Sequence, residues 1–359
     1  MTRTIALALD QLYRPQPGGI GTYVRGLVRG LAAIDDPSNE LVGVVPWAKR
    51  ARDVDGLALR TARVPLPVEV LSVVWGRVAL GVPRHASVVH ATSMAGPFAG
   101  GRADAIHSVA MHDMLWRDES SATTSAGVRF HEARLALLRR RDDVRILTTS
   151  PGLDARLVEE GFARARLHPV RLGIDDGSVA VSSGDLAGYL ARVGVNGPYT
   201  FYAGTREPRK NIERLVAAHR VARSRAPELG PLVLAGPTGW GEVPTGDAVV
   251  LGLVERSVLK ALYRDATLFA YVPLAEGWGL PPVEALGEGT RVVASSTTPS
   301  VADNAEVVIV DPLDLDAIVD GFVRAVTVPV DELSVQRRRS SVTQLTWRQC
   351  ALDHLASWR

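Results

Sequence analysis

At 359 residues the chain exceeds what one hydrophobic core ordinarily spans and suits two domains. With 46% hydrophobic and 22% charged residues it is globular, and a formal net charge of +2 gives no general case for a nucleic-acid partner. The single cysteine, Cys350, excludes an internal disulfide and any multi-cysteine metal site.

The opening apolar run, Ile5-Ala-Leu-Ala-Leu9, is too short for a signal peptide and reads as a first buried strand. No stretch approaches the ~18 continuous apolar residues of a membrane span, so a cytoplasmic location is expected. An irregular loop follows from Asp10 to Gly19. Ile20, Val24, Leu27, Val28, Leu31 and Ile34 then fall on one stripe at helical spacing. Gly18, Gly19 and Gly21 stand at the mouth of this helix, at the carboxyl end of a strand. A dinucleotide fingerprint would need a glycine where the chain has Val24, so NAD binding is not expected.

Apolar runs at Leu41–Val45, Ser87–His90, Ala105–Met111 and Val144–Thr149 alternate with helical or polar stretches, which predicts a parallel sheet with crossover helices. His90 reads as a hydrogen-bonded core histidine. His112, followed by Asp113 at a strand end where open parallel sheets bind ligands, reads as a site residue. The segment Val128–Asp143, with Arg129, Arg134 and Arg139-Arg-Arg141, reads first as a basic solvated helix face and second as a contact for an anionic membrane surface. Ser150 is placed to cap the next helix.

Residues 175–198 are turn-rich and read as an interdomain connection with one short helix, Asp185–Val193. A strand at Tyr199–Gly204 opens the second domain and leads to Arg209-Lys210 at a helix start. Two cations there would stabilise the charge that builds on a departing diphosphate, Arg as a planar fork and Lys as a point charge. Further strands are expected at Leu232–Ala235, Ala248–Leu251, Leu268–Val272, Arg291–Ala294 and Val307–Val310. After the third of these comes Glu276-Gly-Trp-Gly-Leu-Pro-Pro-Val-Glu284. Its glycines admit a close ligand, Pro281-Pro282 suits a helix start, Glu284 falls in the first helical turn, and the helix N-terminus is a ready anion site. Asp53-x-Asp55 and Asp314-x-Asp316 have the look of metal signatures but read as loop or helix-start acids. Trp347, Cys350, Ala351, Leu355 and Trp358 form a closing helical stripe.

Together, Ala203-Gly-Thr-x-x-Pro-Arg209-Lys210-Asn211, His112-Asp113 and the Glu276-x7-Glu284 string resemble the retaining nucleotide-sugar glycosyltransferases of family four, mannosyltransferases best of all. The resemblance is loose over residues 1–175 and specific over 199–312. It implies an α/β fold of GT-B type, two Rossmann-like domains with a donor cleft between them and a last helix crossing back to the first. The expected bounds are 1–174 for the acceptor-side domain, 175–198 for the connection, 199–340 for the donor domain and 341–359 for the returning helix. The implied catalytic set is His112 against the donor sugar, Arg209 and Lys210 on the diphosphate, and Glu276 on sugar hydroxyls. Implied donor contacts are Gly18, Gly19, Gly204, Val254 beside the base, Gly277, Trp278, Gly279, Leu280, and Glu284 on the ribose. Leu274, Ser300 and Trp278 stand where the family often has Ser, Glu and Phe.

The expected activity is retaining transfer of a hexose from a nucleotide diphosphate sugar to a hydroxyl of a glycan or lipid-linked glycan, without cofactor or required metal. GDP-mannose is the first donor, with dTDP-rhamnose or a UDP-sugar next. A lipid-linked acceptor would bring a peripheral membrane contact, and no nucleic acid is expected. A nucleotide-sugar epimerase or a catalytically idle nucleotide-sugar-binding partner are the competing readings. The acceptor is not legible in the sequence.

Overall fold

The computed structural model describes residues 2–47, 59–99, 104–118, 123–174 and 178–359. They form two compact units: the described residues as far as Gly173 with Leu345–Arg359, and Ile174–Gln344.

In the first unit, short apolar strands alternate with helices. The strands are β1 (Arg3–Ala8), β2 (Asn39–Pro46), β3 (Arg60–Val64), β4 (Val88–Ala91), β5 (Ile106–Met111), β6 (Arg145–Thr148) and β7 (Leu167–Pro169). Between them run α1 (Gly18–Ile34), α2 (Val68–Val74), α3 (Leu115–Asp118), α4 (Ser125–Arg140) and α5 (Pro151–Glu159). The sheet is parallel, in the order β3-β2-β1-β4-β5-β6-β7. The chain steps outward from β1 and then returns to its other side, so the order reverses between β1 and β4. Ser150 accepts from the Leu153 N–H and caps α5 as the sequence predicts.

β3 is the strand that hydrophobic pattern does not reveal. Arg60-Thr-Ala-Arg-Val64 is mostly exposed at the sheet edge, and its backbone ladder to β2 holds it in place of an apolar run.

The second unit repeats the plan. It contains α6 (Ser183–Ala191), β8 (Thr200–Ala203), α7 (Ile212–Arg225), β9 (Leu232–Ala235), β10 (Val249–Gly252), α8 (Arg256–Asp265), β11 (Leu268–Tyr271), α9 (Leu280–Gly287), β12 (Val292–Ser295), β13 (Val307–Val310), α10 (Leu315–Thr327) and α11 (Glu332–Ser340). Its parallel sheet runs β10-β9-β8-β11-β12-β13, with the reversal between β8 and β11. β8 and β11 are buried at every position, as strands covered on both faces must be. The stretch read as a connection carries α6, which packs on α8, while Lys260 and Arg264 donate to the carbonyls of Ser178 and Val181.

The last helix, α12 (Trp347–Ser357), packs on α1 in the first unit. Trp347, Cys350, Ala351 and Trp358 are its buried face, but Leu355 is half-buried and His354 is wholly buried in its stead. Close approach to α1 requires glycines there. A Cβ on Gly26 would lie 2.0 Å from the Trp347 ring, and one on Gly30 would lie 2.0 Å from the Trp347 carbonyl oxygen.

Alanine in a helix interior gains ~1 kcal/mol over glycine, whereas overpacking costs about 1–3 kcal/mol and more against backbone that cannot move. Gly30→Ala is therefore expected to lower the unfolding midpoint of the first unit in urea. Gly152→Ala, on α5 with nothing within 4 Å of the new methyl, is expected to leave it unchanged or raise it. Equal effects at the two sites would refute the close α1–α12 contact.

Candidate active site

In the second unit the sequence-predicted cations and the first carboxylate meet at the carboxyl ends of β8 and β11, where the strand order reverses. After β8, Gly204 leads through Thr205–Glu207 into a 3-10 turn at Pro208–Lys210. Asn211 ends that turn in the left-handed region, φ 59°, a conformation asparagine tolerates. Its amide donates to the carbonyls of Val272 at 3.0 Å and Pro312 at 2.9 Å, and the Leu274 N–H donates to the Arg209 carbonyl at 2.9 Å. These bonds hold the loop after β8 against the loop after β11.

Between the two loops lies Glu276. Arg209 donates to Glu276 Oε1 at 3.1 Å, to the Ala275 carbonyl at 2.7 Å and to Glu207 at 2.6 Å. Lys210 Nζ donates to Glu276 Oε2 and to Tyr271 Oη at 2.7 Å, and the Tyr271 hydroxyl donates to Glu276 Oε2. The side chains of Arg209, Lys210 and Glu276 are only 13%, 10% and 12% exposed. Burial pushes the Glu276 carboxyl up, but the Lys210 and Arg209 charges outweigh it, and with hydrogen bonds from Lys210 and Tyr271 they hold it at about 2. Burial, aided by the Glu276 charge, pushes the Tyr271 phenol well up, so it stays a donor. Tyr271 and Glu207 complete the cluster, and the sequence pattern marks neither: Tyr271 reads as one more apolar strand residue.

The loop from Gly277 to Leu280 stands beside this cluster. Gly279 has φ 94°, and a Cβ there would lie 2.6 Å from Thr298, so only glycine fits. The Ser300 N–H bonds the Trp278 carbonyl at 2.9 Å and its hydroxyl bonds the Gly279 carbonyl at 2.6 Å, so Ser300 braces the loop. Pro281 and Pro282 occupy the second and third positions of α9 and carry no N–H. An anion at this helix start is therefore offered the N–H groups of Trp278, Gly279 and Leu280, which have no partner among the described residues. Glu284 is the fifth residue of α9, in its second turn rather than the first. It is engaged by Arg256 at 2.7 Å and the Tyr263 hydroxyl at 2.9 Å, two partners that sequence reasoning misses because α8 brings them. Val254 is half-buried in the loop between β10 and α8.

In the first unit, Gly18 and Gly19 are the exposed first residues of α1, and His112 follows β5. His112 is half-buried. Its Nε2 donates to the Thr92 carbonyl at 2.9 Å, its own carbonyl accepts from the Thr149 hydroxyl at 3.2 Å, and Tyr23 meets its ring edge-on at 4.9 Å between centroids. No partner among the described residues faces Nδ1, which is left as a lone-pair acceptor. Burial draws this imidazole down, so it is neutral. His90 is wholly buried and bonded to Ser108 and Tyr23, a core histidine as expected.

The basic solvated face expected on α4 is present at Arg129, Arg139 and Arg140, which are exposed, and Arg134 alone departs from it. Arg134 turns inward and is 3% exposed, donating to the carbonyls of Met94 and Gly96 with its guanidinium 4.2 Å from the Phe98 ring, and burial draws it down to about 10. Arg139 pairs with Glu160 and Arg141 with Asp143, while Arg129 and Arg140 are exposed. Asp314 caps α10 through the Ala317 N–H at 3.0 Å, and Asp53-x-Asp55 lies outside the described residues. No helix among the described residues is long and apolar enough to cross a membrane.

Known proteins share this architecture. The chain resembles Anabaena HepE in complex with UDP and glucose at a TM-score of 0.71, with 13% identity over 99% of each chain. At that identity the likeness concerns the fold: this is the GT-B fold. Residues 197–327, from before β8 through α10, match the family described as Glycosyl transferases group 1 and form a domain of that family. Over 174 residues the chain is 32% identical to O-antigen chain mannosyltransferase B of Escherichia coli, covering 45% of each chain. Over 175 residues it is 33% identical to D-inositol 3-phosphate glycosyltransferase of Salinispora tropica, covering 42% of this chain and 36% of that one. The matched region thus spans less than half the length of these curated relatives.

Glu276 titrates below an ordinary glutamate, near 4.3, so its contribution to stability is present above that pH and is lost as pH falls toward about 2. Glu276→Gln is expected to be less stable than the wild type at pH 7, with the gap in urea midpoints of the second unit closing between about pH 4.3 and about pH 2. A gap that stays constant down to pH 2 would mean the carboxylate is not ion-paired.

Proposed function

We propose that the chain is a glycosyltransferase that moves a hexose from a nucleotide diphosphate sugar to a hydroxyl on a glycan or lipid-linked glycan, with retention at the anomeric carbon. The observation that carries this reading is the Arg209–Lys210–Glu276 cluster: two buried cations on one carboxylate, at the switch point of a parallel sheet, beside a loop with unpartnered N–H groups. Arg209 and Lys210 would take the diphosphate and stabilise the charge that grows on it as the glycosidic bond breaks. The N–H groups of Gly279 and Leu280 would take its other oxygens. Glu276 would hold sugar hydroxyls, His112 Nδ1 would accept from a sugar hydroxyl, and Glu284 would bind the ribose.

Among the described residues no side chain stands out as a covalent nucleophile, so the acceptor hydroxyl is assigned to attack on the face from which the diphosphate leaves, through an oxocarbenium-like state. The two cations carry the leaving-group charge, and the reading calls on no metal. The mannosyltransferase relative supports mannose, with GDP-mannose as first donor. The second reading is the same transfer from another donor, such as dTDP-rhamnose or a UDP-sugar.

A thermal-shift screen against GDP, UDP, dTDP and ADP with their sugar conjugates tests the donor. A ligand bound only by the folded state adds about 2.7 kcal/mol of stability at a hundredfold excess over its Kd. GDP and GDP-mannose are expected to raise the melting temperature. UDP or dTDP alone doing so would replace the mannose assignment, and silence from every nucleotide would end the donor-site reading. Lys210→Ala is expected to lower kcat for transfer about 10²–10³-fold, whereas unchanged turnover would remove Lys210 from the chemistry.

A further inference from the structure

Five side chains in the first unit are wholly buried and joined by hydrogen bonds that the site above does not use. Tyr23, His90, Ser108, His354 and Trp358 are each 0% exposed. With both imidazoles neutral, as their burial favours, the distances admit one order of protons. His354 Nδ1 lies 2.7 Å from the Cys350 carbonyl, which only accepts, so Nδ1 carries the proton and Nε2 the lone pair. Tyr23 Oη lies 2.7 Å from that Nε2 and donates to it. The phenol has no second proton, so in the 2.9 Å contact with His90 the imidazole Nε2–H donates to the tyrosine oxygen. His90 Nδ1 then accepts from the Ser108 hydroxyl at 2.9 Å, and Ser108 Oγ accepts from Trp358 Nε1 at 2.9 Å.

The series starts at Trp358 just past α12, passes through β5, β4 and α1, and returns to α12 at His354. With both histidines neutral, each donor in it finds an acceptor. Burial draws His90 well below its ordinary value and His354 down to about 4, in keeping with that. Tyr23 is thus fixed at both its ring and its hydroxyl, and its ring lies edge-on to His112 at 4.9 Å and 72°. With Nε2 tied to the Thr92 carbonyl, the imidazole of His112 is held on one side by a backbone acceptor and on another by this ring.

We infer that Tyr23 is a positioning residue for His112, and that the proton order through Trp358, Ser108, His90, Tyr23 and His354 is what fixes it. The functional part rests on the proposed role of His112, and the test separates the two. Long-range proton–nitrogen spectra of the wild-type protein at pH 7 are expected to show His354 as the Nδ1–H tautomer and His90 and His112 as Nε2–H. Any other set overturns the proton order. Tyr23→Phe keeps the ring and removes the hydroxyl. It is expected to shift the His112 ring resonances and to lower kcat for transfer about 10- to 100-fold, a misplacement effect, with the Kd for nucleoside diphosphate unchanged.

In a His112→Ala background the same substitution is expected to change kcat no further. An equal loss in both backgrounds, or an unshifted His112 spectrum, overturns the inference. A wild-type protein that transfers no sugar would end the proposed function, and the spectra would still decide whether Tyr23 holds His112. Trp358→Phe, which removes the first donor of the series, takes the place of Tyr23→Phe in both readouts if that variant does not fold.

Discussion

The second unit depends on one carboxylate held by two cations and a phenol. Glu276 joins the loop after β8 to the loop after β11, and without it the buried Arg209 and Lys210 would lose the one carboxylate that both of them engage. A buried ion cluster is a poor device for stability, since taking the charges out of water costs about what their attraction returns. Its worth lies in arrangement. The cations sit in place before any ligand arrives, braced by Asn211, Ala275 and Tyr271, so under the proposed function little reorganisation is left for the moment at which charge develops.

The two sheets reach their sites by the same route. In each, the chain winds outward from one strand and returns on its other side, leaving a crevice at the carboxyl ends where the order reverses. The second unit fills that edge with charge. The first places there two exposed glycines and a neutral histidine whose free nitrogen accepts. Neutral, half-buried His112 suits hydroxyl recognition better than it suits a diphosphate, which would call for a cation.

The first unit is closed by the chain's last helix. Gly26 and Gly30 admit Trp347, and the proton-ordered series through His354 and Trp358 ties α12 to the centre of the sheet. The close fit of Trp347 against those glycines already opposes a one-turn slide of this helix. A series in which every donor has one acceptor does not tolerate that shift, because an unmatched buried polar group costs about 1–3 kcal/mol.

The sequence by itself determined the alternation of strands and helices, the two-domain plan and the position of the charged motifs, because hydrophobic period and glycine placement are local properties. His90 was legible as a core histidine, Ser150 as a cap and Asp314 as a helix-start acid for the same reason. Only the tertiary structure decided who faces whom. Arg134 reads as solvated because it falls in an arginine-rich segment, yet it turns to carbonyls some forty residues away in the chain. Tyr271 and Tyr263 read as apolar strand and helix residues until the fold sets their hydroxyls on Glu276 and Glu284. β3 has no apolar run because an edge strand needs only a backbone partner, and the partners of Tyr23 lie 67 and 331 residues away. Hydrogen-bond direction and burial are set by such distant contacts, and no local pattern encodes them.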